Sequence, residues 1–153
     1  MNGPALTYVD NTILTALVGC SPESSGVRRW FLHSEQAWVS SEIALARSLE
    51  QPATRHLSLA ELLQAIHSGV AIRPCPLALA ATQLRQLARC QPALSRLDAL
   101  ELTCAHLWRC HLLLSNHLPL CAAAKATGLF AMPLSQFSAP AVGDWPGLAP
   151  IPP

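Results

Sequence analysis

The sequence predicts an α/β domain of three layers, in which a short central parallel sheet lies between two layers of helices. Short β-prone runs alternate along the chain with longer segments of helical periodicity, which is typical of βα units with parallel strands. Residues 111–114 form an apolar run, as expected of a central strand that is covered on both faces. A length of 153 residues suits a single domain of this kind.

The first two strand–helix units occupy the N-terminal third of the chain. Residues 5–9 are predicted as a strand that ends at Asp10, and the apolar spacing that follows predicts a helix closed by Gly19. After a loop, residues 37–39 predict a second strand, followed by a helix over about residues 41–50. Ligands of parallel sheets bind outside the carboxyl ends of the strands, so Asp10 is a candidate site residue.

Two further helices and a strand are predicted in the middle of the chain. Ser58 and Glu61 have the spacing of a capping box, and Gly69 ends the helix that this box begins. Residues 70–72 predict a brief strand, and Pro76 marks the start of the next helix. The face of that helix expected to be buried consists of Leu77, Ala80, Ala81, Leu84, Leu87 and Ala88.

The last units include a second candidate site. Ser95 and Asp98 open a helix whose expected buried face consists of Leu97, Leu100, Cys104, Leu107 and Trp108. The apolar strand 111–114 ends at the polar residues Ser115, Asn116 and His117, so His117 is expected at the same sheet edge as Asp10. A helix over about 118–126, Gly128 and a short strand at 129–130 are predicted to follow.

Composition limits what the domain can do. With 51% hydrophobic and 12% charged residues, the chain is too apolar to be disordered, and part of its surface is expected to be covered by a second copy or a partner protein. The formal net charge of +1 gives no strong electrostatic footprint for nucleic acid. RNA remains a possible ligand through Arg28, Arg29 and Trp30, although a loop entering a helix explains that cluster equally well.

The rest of the sequence suggests a cytoplasmic protein with a short tail. No signal peptide and no membrane-spanning run are evident, so no membrane association is expected. The six cysteines lack metal-binding spacing, and buried thiols are favoured over a zinc site near Cys104 and Cys110. Residues 1–138 are predicted to form the domain and the Pro-rich residues 139–153 a tail without regular structure.

Four segments together resemble the PIN family of metal-dependent ribonucleases, as found in toxins of type II toxin–antitoxin pairs. Residues 8–14 (YVDNTIL) are similar to the family's opening strand with its first aspartate and hydroxyl residue, here Asp10 and Thr12. Residues 40–47 resemble its second strand–helix junction, and residues 97–102 (LDALEL) resemble its "LDALHLA" helix start. Residues 112–128 resemble the closing strand, "TND" turn, alanine-rich helix and glycine. The resemblance spans about residues 5–133 and implies a PIN-like fold.

The resemblance also implies a site that this sequence only half retains. The family arranges four carboxylates around Mg²⁺ or Mn²⁺, and two of them fall on Asp10 and Asp98, the candidate metal ligands. The family's glutamate falls on Arg47 and its last aspartate on His117, which would join the catalytic set. The four positions therefore carry one net negative charge instead of four, and Arg47 can pair with Asp10 or Asp98 without any metal.

Ordinary structural roles would also account for these residues. Asp10 and Asp98 can each be a helix cap, and Arg47 can pair with Glu50 at the surface. Glu101, one turn after Asp98, could lend a carboxylate to the site, but a surface position is expected for it. Asn116 is a supporting residue of the turn that carries His117.

Two functions follow as hypotheses. The first is a PIN-like endoribonuclease whose hydrolysis of RNA phosphodiesters is weakened or lost, with Mg²⁺ or Mn²⁺ as cofactor if it is active and possibly none otherwise. The alternative is a non-catalytic interaction module that forms a homodimer or binds a partner protein. The helices over residues 41–68 are the expected contact surface.

Overall fold

A computed structural model describes residues 5–18, 37–66 and 69–138. Their centre is a five-stranded parallel sheet with the strand order β3-β2-β1-β4-β5. The strands are β1 (Leu6–Val9), β2 (Ala37–Ser41), β3 (Val70–Arg73), β4 (Leu112–Leu114) and β5 (Phe130–Met132). The first strand is thus the middle of the sheet, with β2 on one side and β4 on the other.

Helices cover both faces of this sheet. They are α1 (Asn11–Leu17), α2 (Glu42–Leu49), α3 (Leu59–Ile66), α4 (Leu77–Cys90), α5 (Arg96–Leu107) and α6 (Leu118–Ala126), with short 3-10 helices at Pro52–Thr54 and Leu134–Ser138. Successive strand residues alternate between two separate cores, as the pleat requires. Val9 and Leu114 pack with α1, α2 and α3, whereas Tyr8 and Leu113 pack with α4, α5 and α6.

The predicted fold class is confirmed: the domain has three α/β/α layers around a short parallel sheet. The sequence correctly predicted a helix start where side chains cap the free backbone amides. Ser58 and Glu61 form the expected reciprocal capping box, with the Ser58 amide 2.6 Å from Glu61 Oε2 and the Glu61 amide 3.2 Å from Ser58 Oγ. Two strand boundaries differ, because β2 continues through two serines to Ser41 and β5 begins at Phe130 rather than at residue 129.

The expected buried face of α5 is only partly correct, because Cys104 is buried as predicted but Leu97 is not. Leu97 is 45% exposed, whereas the polar residues Asp98 and Glu101 on the same helix are buried. The cause is electrostatic, because Arg47 of α2 pairs with both carboxylates and lowers the cost of burying them. Hydrophobic spacing therefore does not decide the orientation of this helix. The residues of α5 that the structure buries are Asp98, Ala99, Glu101, Leu102, Thr103, Cys104 and Ala105.

The predicted buried face of α4 and the predicted burial of the cysteines are only partly correct. Of the apolar face predicted for α4, only Ala80 and Leu87 are buried, and Leu77 is 63% exposed. This helix lies at the outside of the domain and contacts mainly α5, so one narrow stripe suffices to hold it. Cys90 is exposed rather than buried, while the other described cysteines are buried free thiols: Cys75, Cys104, Cys110 and Cys121.

Several sequence predictions concern residues outside the described ranges. Gly19, Cys20, the cluster of Arg28, Arg29 and Trp30, and the tail 139–153 are among them. Within the part of the chain that the structure describes, no helix is long and apolar enough to cross a membrane.

Candidate functional site

The carboxyl ends of β1 and β4 bring polar residues together at one edge of the sheet. Val9 and Leu114 are aligned in the two strands, and the Asp10 amide donates to the Leu114 carbonyl over 3.2 Å. Asp10 therefore leaves the sheet at the point where Ser115, Asn116 and His117 leave it. The parallel topology alone produces this convergence, as the sequence predicted.

Asp10 is both a helix cap and a buried member of this cluster. Its Oδ1 accepts from the Thr12 amide at 2.9 Å, the Thr12 hydroxyl at 2.6 Å and the Ile13 amide at 3.1 Å, while its Oδ2 accepts from the Ser115 hydroxyl. Burial raises the pKa of Asp10, against the effect of these hydrogen bonds, which lower it. Both carboxylate oxygens are thus already occupied by donors of the protein.

Arg47 joins two acidic residues of the opposite helix layer. It lies in the last turn of α2, and its Nη1 is 2.8 Å from Asp98 Oδ1 and in contact with Glu101 Oε2. Burial would lower the pKa of Arg47, but the hydrogen bond that Arg47 donates to Asp98 and the charges of both carboxylates raise it above its ordinary value. Asp98 is one of the two partners that the sequence offered for Arg47 besides Glu50, and the structure pairs Arg47 with Asp98 and Glu101.

Glu101 lies inside the site, and the expectation of a surface position is wrong. Its side chain is fully buried, and its Oε1 accepts from the Tyr8 hydroxyl at 3.2 Å and from the Asn11 amide at 3.3 Å. Burial raises the pKa of Glu101 to about 8, with the Asp10 charge adding to the rise and Arg47 opposing it. The Asn11 amide also connects Glu101 to the segment that carries Asp10.

His117 lies on the solvent side of the cluster. Its Nδ1 is 3.2 Å from Asp98 Oδ2, and 42% of its side chain is exposed, against 5% for Asp98. Asp98 therefore has Arg47 on one oxygen and His117 on the other. The Asp98 amide donates to Ser95 Oγ over 3.1 Å, so Asp98 belongs to the helix start as well as to the site.

Thr12 and Asn116 fix the two loops against each other. The Asn116 amide donates to Thr12 Oγ1 over 2.8 Å, and Asn116 Oδ1 accepts from the Leu134 amide at the same distance. Ser115, Tyr8 and Ser41 had no predicted role and complete the network: Tyr8 Oη lies 2.9 Å from Ser41 Oγ as well as near Glu101. For Ser115 a signal existed, because it occupies the hydroxyl position of the "TND"-like turn.

Several solved structures are similar to this chain, among them a VapC toxin and a chain of a VapBC assembly. The chain aligns with the VapC20 toxin of Mycobacterium tuberculosis, a toxin that cleaves the sarcin-ricin loop, at 14% identity and a TM-score of 0.56 over 70% of this chain and 86% of that one. It also aligns with a chain of VapBC2 from Rickettsia felis, solved bound to a DNA fragment from their promoter, at 15% identity and a TM-score of 0.61 over 84% of this chain and 98% of that one. The chain has a PIN-like fold.

The PIN-like resemblance drawn from the sequence motifs is thus confirmed at the level of the fold, and at this identity the likeness extends no further. No family model matches the sequence. No curated protein matches it either.

The residues present do not fit the divalent cation that a PIN fold implies. Hard cations need carboxylate oxygens that are free to coordinate. In this site each oxygen of Asp10, Asp98 and Glu101 already has a protein donor or cation as neighbour. Among the described residues, no group of three or more acidic, histidine or cysteine side chains is arranged to hold a metal ion. Arg47 occupies the electrostatic role of such an ion.

The raised pKa of Glu101 predicts that stability falls as the pH rises from 6.5 to about 8. Folded Glu101 keeps its proton up to about pH 8, whereas an unfolded glutamate loses it near 4.5. The unfolded state then binds fewer protons, so stability declines by up to about 1.4 kcal/mol per pH unit. The lowered pKa values of His106 and His111 make stability rise with pH instead, but this effect belongs to the range below about pH 6.5.

Urea unfolding of the wild type and of Glu101→Gln across this pH range tests the prediction. The isosteric amide cannot ionise, so the variant should be nearly insensitive to pH there. An equal slope in both proteins would show that Glu101 does not titrate in this window.

Proposed function

We propose that this PIN-like protein derives from metal-dependent endoribonucleases and that its metal-dependent hydrolysis of RNA is weakened or lost. The observation that carries the proposal is the Arg47 guanidinium between Asp98 and Glu101. A built-in cation already stabilises the acidic cluster, so the site has little electrostatic demand for Mg²⁺ or Mn²⁺. Asp10, Asp98 and His117 would then be the remnants of the catalytic set, with Asp10 and Asp98 as the remaining ligands.

The likeness to VapC20, a toxin that cleaves an RNA loop, supports RNA as the substrate of the ancestral site. In such a reaction the metal would activate the water that attacks the phosphodiester. Thr12, Ser115 and Asn116 would retain their positioning role, because their hydrogen bonds hold Asp10 and the His117 turn whether or not a metal is bound.

The wild-type protein is expected to bind Mg²⁺ and Mn²⁺ only weakly and to cleave RNA slowly or not at all. Calorimetric titration with each ion, together with a cleavage assay on single-stranded RNA, measures both quantities. Asp10→Asn is the matched control, since it removes one ligand charge and keeps the side-chain shape. Tight Mg²⁺ binding by the wild type that Asp10→Asn abolishes would contradict the proposal and show an active nuclease.

A second candidate function is a protein-interaction module, favoured by large apolar side chains at the surface. Those more than 45% exposed are Leu59, Leu77, Leu79, Leu118 and Phe130. Leu59 belongs to α3, within the residues 41–68 that the sequence predicted as the contact surface, whereas Leu77 and Leu79 belong to α4 in the opposite helix layer. The likeness to a chain of the VapBC2 assembly makes binding of a partner protein plausible.

Association is therefore expected as a homodimer or with a partner protein. Replacing Leu59, Leu77 and Leu79 by serine should weaken it at least tenfold, because each loses a buried apolar contact worth about 1.5 kcal/mol or more. Light scattering during size-exclusion chromatography measures the effect, and Ala53→Ser, at an exposed position of the 3-10 helix Pro52–Thr54, is the control. A monodisperse wild-type monomer at high concentration, with no co-purifying protein, would refute this candidate.

A further inference from the structure

Two cysteines from distant parts of the chain meet in the core on the side of the sheet that α4, α5 and α6 cover. Cys75 lies in the connection between β3 and α4, and Cys104 lies on the buried face of α5. The Cys104 thiol donates to Cys75 Sγ over 3.4 Å, and both residues are free thiols of one hydrophobic cluster. At this separation, small side-chain rotations bring the two sulfurs to a bonding distance of about 2 Å.

The backbone holds Cys75 in place against α5. Pro74 and Pro76 flank it and restrict the chain on both sides. Its amide donates to Glu42 Oε1, at the start of α2, over 3.1 Å. The contact between Cys75 and Cys104 is therefore set by the fold of the β3–α4 connection and not by a chance rotamer.

The two thiols differ in their access to solvent and in their protonation. Cys75 is 8% exposed and Cys104 is 0% exposed, so a small dissolved oxidant reaches Cys75 first. Burial raises the pKa of Cys104, and its hydrogen bond to Cys75 adds to the rise, so Cys104 keeps its proton. Cys75 is thus placed to react with the oxidant, and Cys104 is placed to react with the product.

We propose that Cys75 and Cys104 are a peroxide-sensitive thiol pair that closes to an internal disulfide and cross-links the β3–α4 connection to α5. The Cys75 sulfur attacks one oxygen of hydrogen peroxide, the O–O bond breaks, and a sulfenic acid and one water are formed. The Cys104 sulfur then attacks the Cys75 sulfur, and the hydroxyl group leaves with the Cys104 proton as a second water. Each sulfur loses one electron, and the peroxide gains both.

The cross-link would strengthen the contact between the two helices that form the ion pairs of the candidate site. Glu42 ties the β3–α4 connection to α2, which carries Arg47, and Cys104 lies one turn after Glu101 on α5. Oxidation therefore adds a covalent link on α5 to the existing ion pairs between α2 and α5. This inference is independent of the proposed function, because it requires neither a metal nor RNA.

Treatment of the full chain with hydrogen peroxide, followed by peptide mapping without reduction, tests the proposal. The expected product is a disulfide between Cys75 and Cys104. The melting temperature should rise by roughly 5–10 °C, because the cross-link restricts the unfolded chain, and dithiothreitol should reverse both changes. Cys75→Ser should abolish the rise, whereas Cys90→Ser, which removes an exposed thiol of α4, should keep it.

Three results would overturn the proposal. The first is a treated protein in which Cys75 and Cys104 stay reduced or carry only oxidation products of single thiols. The second is a disulfide that joins Cys104 to Cys110, the other buried cysteine whose charge affects it. The third is a rise in melting temperature that Cys75→Ser retains. Mapping of the wild type needs no substitution, so it decides the proposal even if Cys75→Ser does not fold.

Discussion

Arg47→Met should destabilise the folded protein by about 3 kcal/mol, although the substitution removes no core side chain. Removing one partner of a buried ion pair costs about 3–5 kcal/mol, because the other charge stays buried without compensation. The lower end applies here, since 22% of the Arg47 side chain is exposed to screening by water. Asp98 and Glu101 would lose their cation together, and methionine keeps most of the aliphatic volume.

Urea unfolding at about pH 9, where folded Glu101 has lost its proton, measures this loss, with Arg55→Met at an exposed turn as the control that should stay within about 0.5 kcal/mol. Glu101→Gln introduced into the Arg47→Met protein should recover part of the stability, because a neutral amide needs no cation. The two substitutions are therefore expected to be non-additive, as contacting residues usually are. Additive effects of the two changes, or an Arg47→Met protein as stable as the wild type, would show that the guanidinium does not stabilise the cluster.

The fold and the sheet edge could be predicted because both depend on local patterns. Alternating strand and helix signals fix a parallel sheet, and a parallel sheet places residues that follow its strands at one edge. Asp10 and His117 therefore lie together for reasons that are visible in the sequence. Asp98 is the third residue of this cluster. The motif at the start of its helix predicted its position, because that motif occurs in the expected order along the chain.

Glu101 and the orientation of α5 could not be predicted in this way. A glutamate within a helix is normally a surface residue, and only knowledge of its partners shows otherwise. Those partners, Tyr8 and Arg47, are separated from it by 93 and 54 residues along the chain. Hydrophobic periodicity assigns polar residues to solvent, so a helix that buries its carboxylates against a cation is assigned the wrong face.

The charge count made from the sequence left out one acidic residue of the site. Counting only the four positions matched to the family omitted Glu101, which stands where the family's "LDALHLA" stretch has histidine. A new cation on α2 and a new carboxylate on α5 are thus in direct contact. Under the proposed function the two residues would be a compensating pair, in which the Arg47 cation takes the place of a metal ion beside Glu101.

Restoring both family residues, through Arg47→Glu and His117→Asp, should convert the site back into one that binds metal. Without metal, the double variant has four or more carboxylates in a small volume and should be markedly less stable than the wild type. Mn²⁺ at about one hundred times its dissociation constant would return about 2.7 kcal/mol, which is roughly 5–10 °C in melting temperature for a domain of this size. The wild type, with Arg47 in place, should show no such shift.

The two single variants separate the roles of the substituted residues. His117→Asp keeps Arg47 against Asp98 and Glu101, so its melting temperature should respond to Mn²⁺ no more than that of the wild type. Arg47→Glu removes the cation and exposes the oxygens that it occupied, so it should respond in part and the double variant most. Melting curves of all four proteins with Mn²⁺, with EDTA and with Ca²⁺ as a larger, less suitable ion measure this order. Equal responses of His117→Asp and Arg47→Glu would mean that the guanidinium is not what keeps metal out, and the ion-pair account of the site would then be wrong.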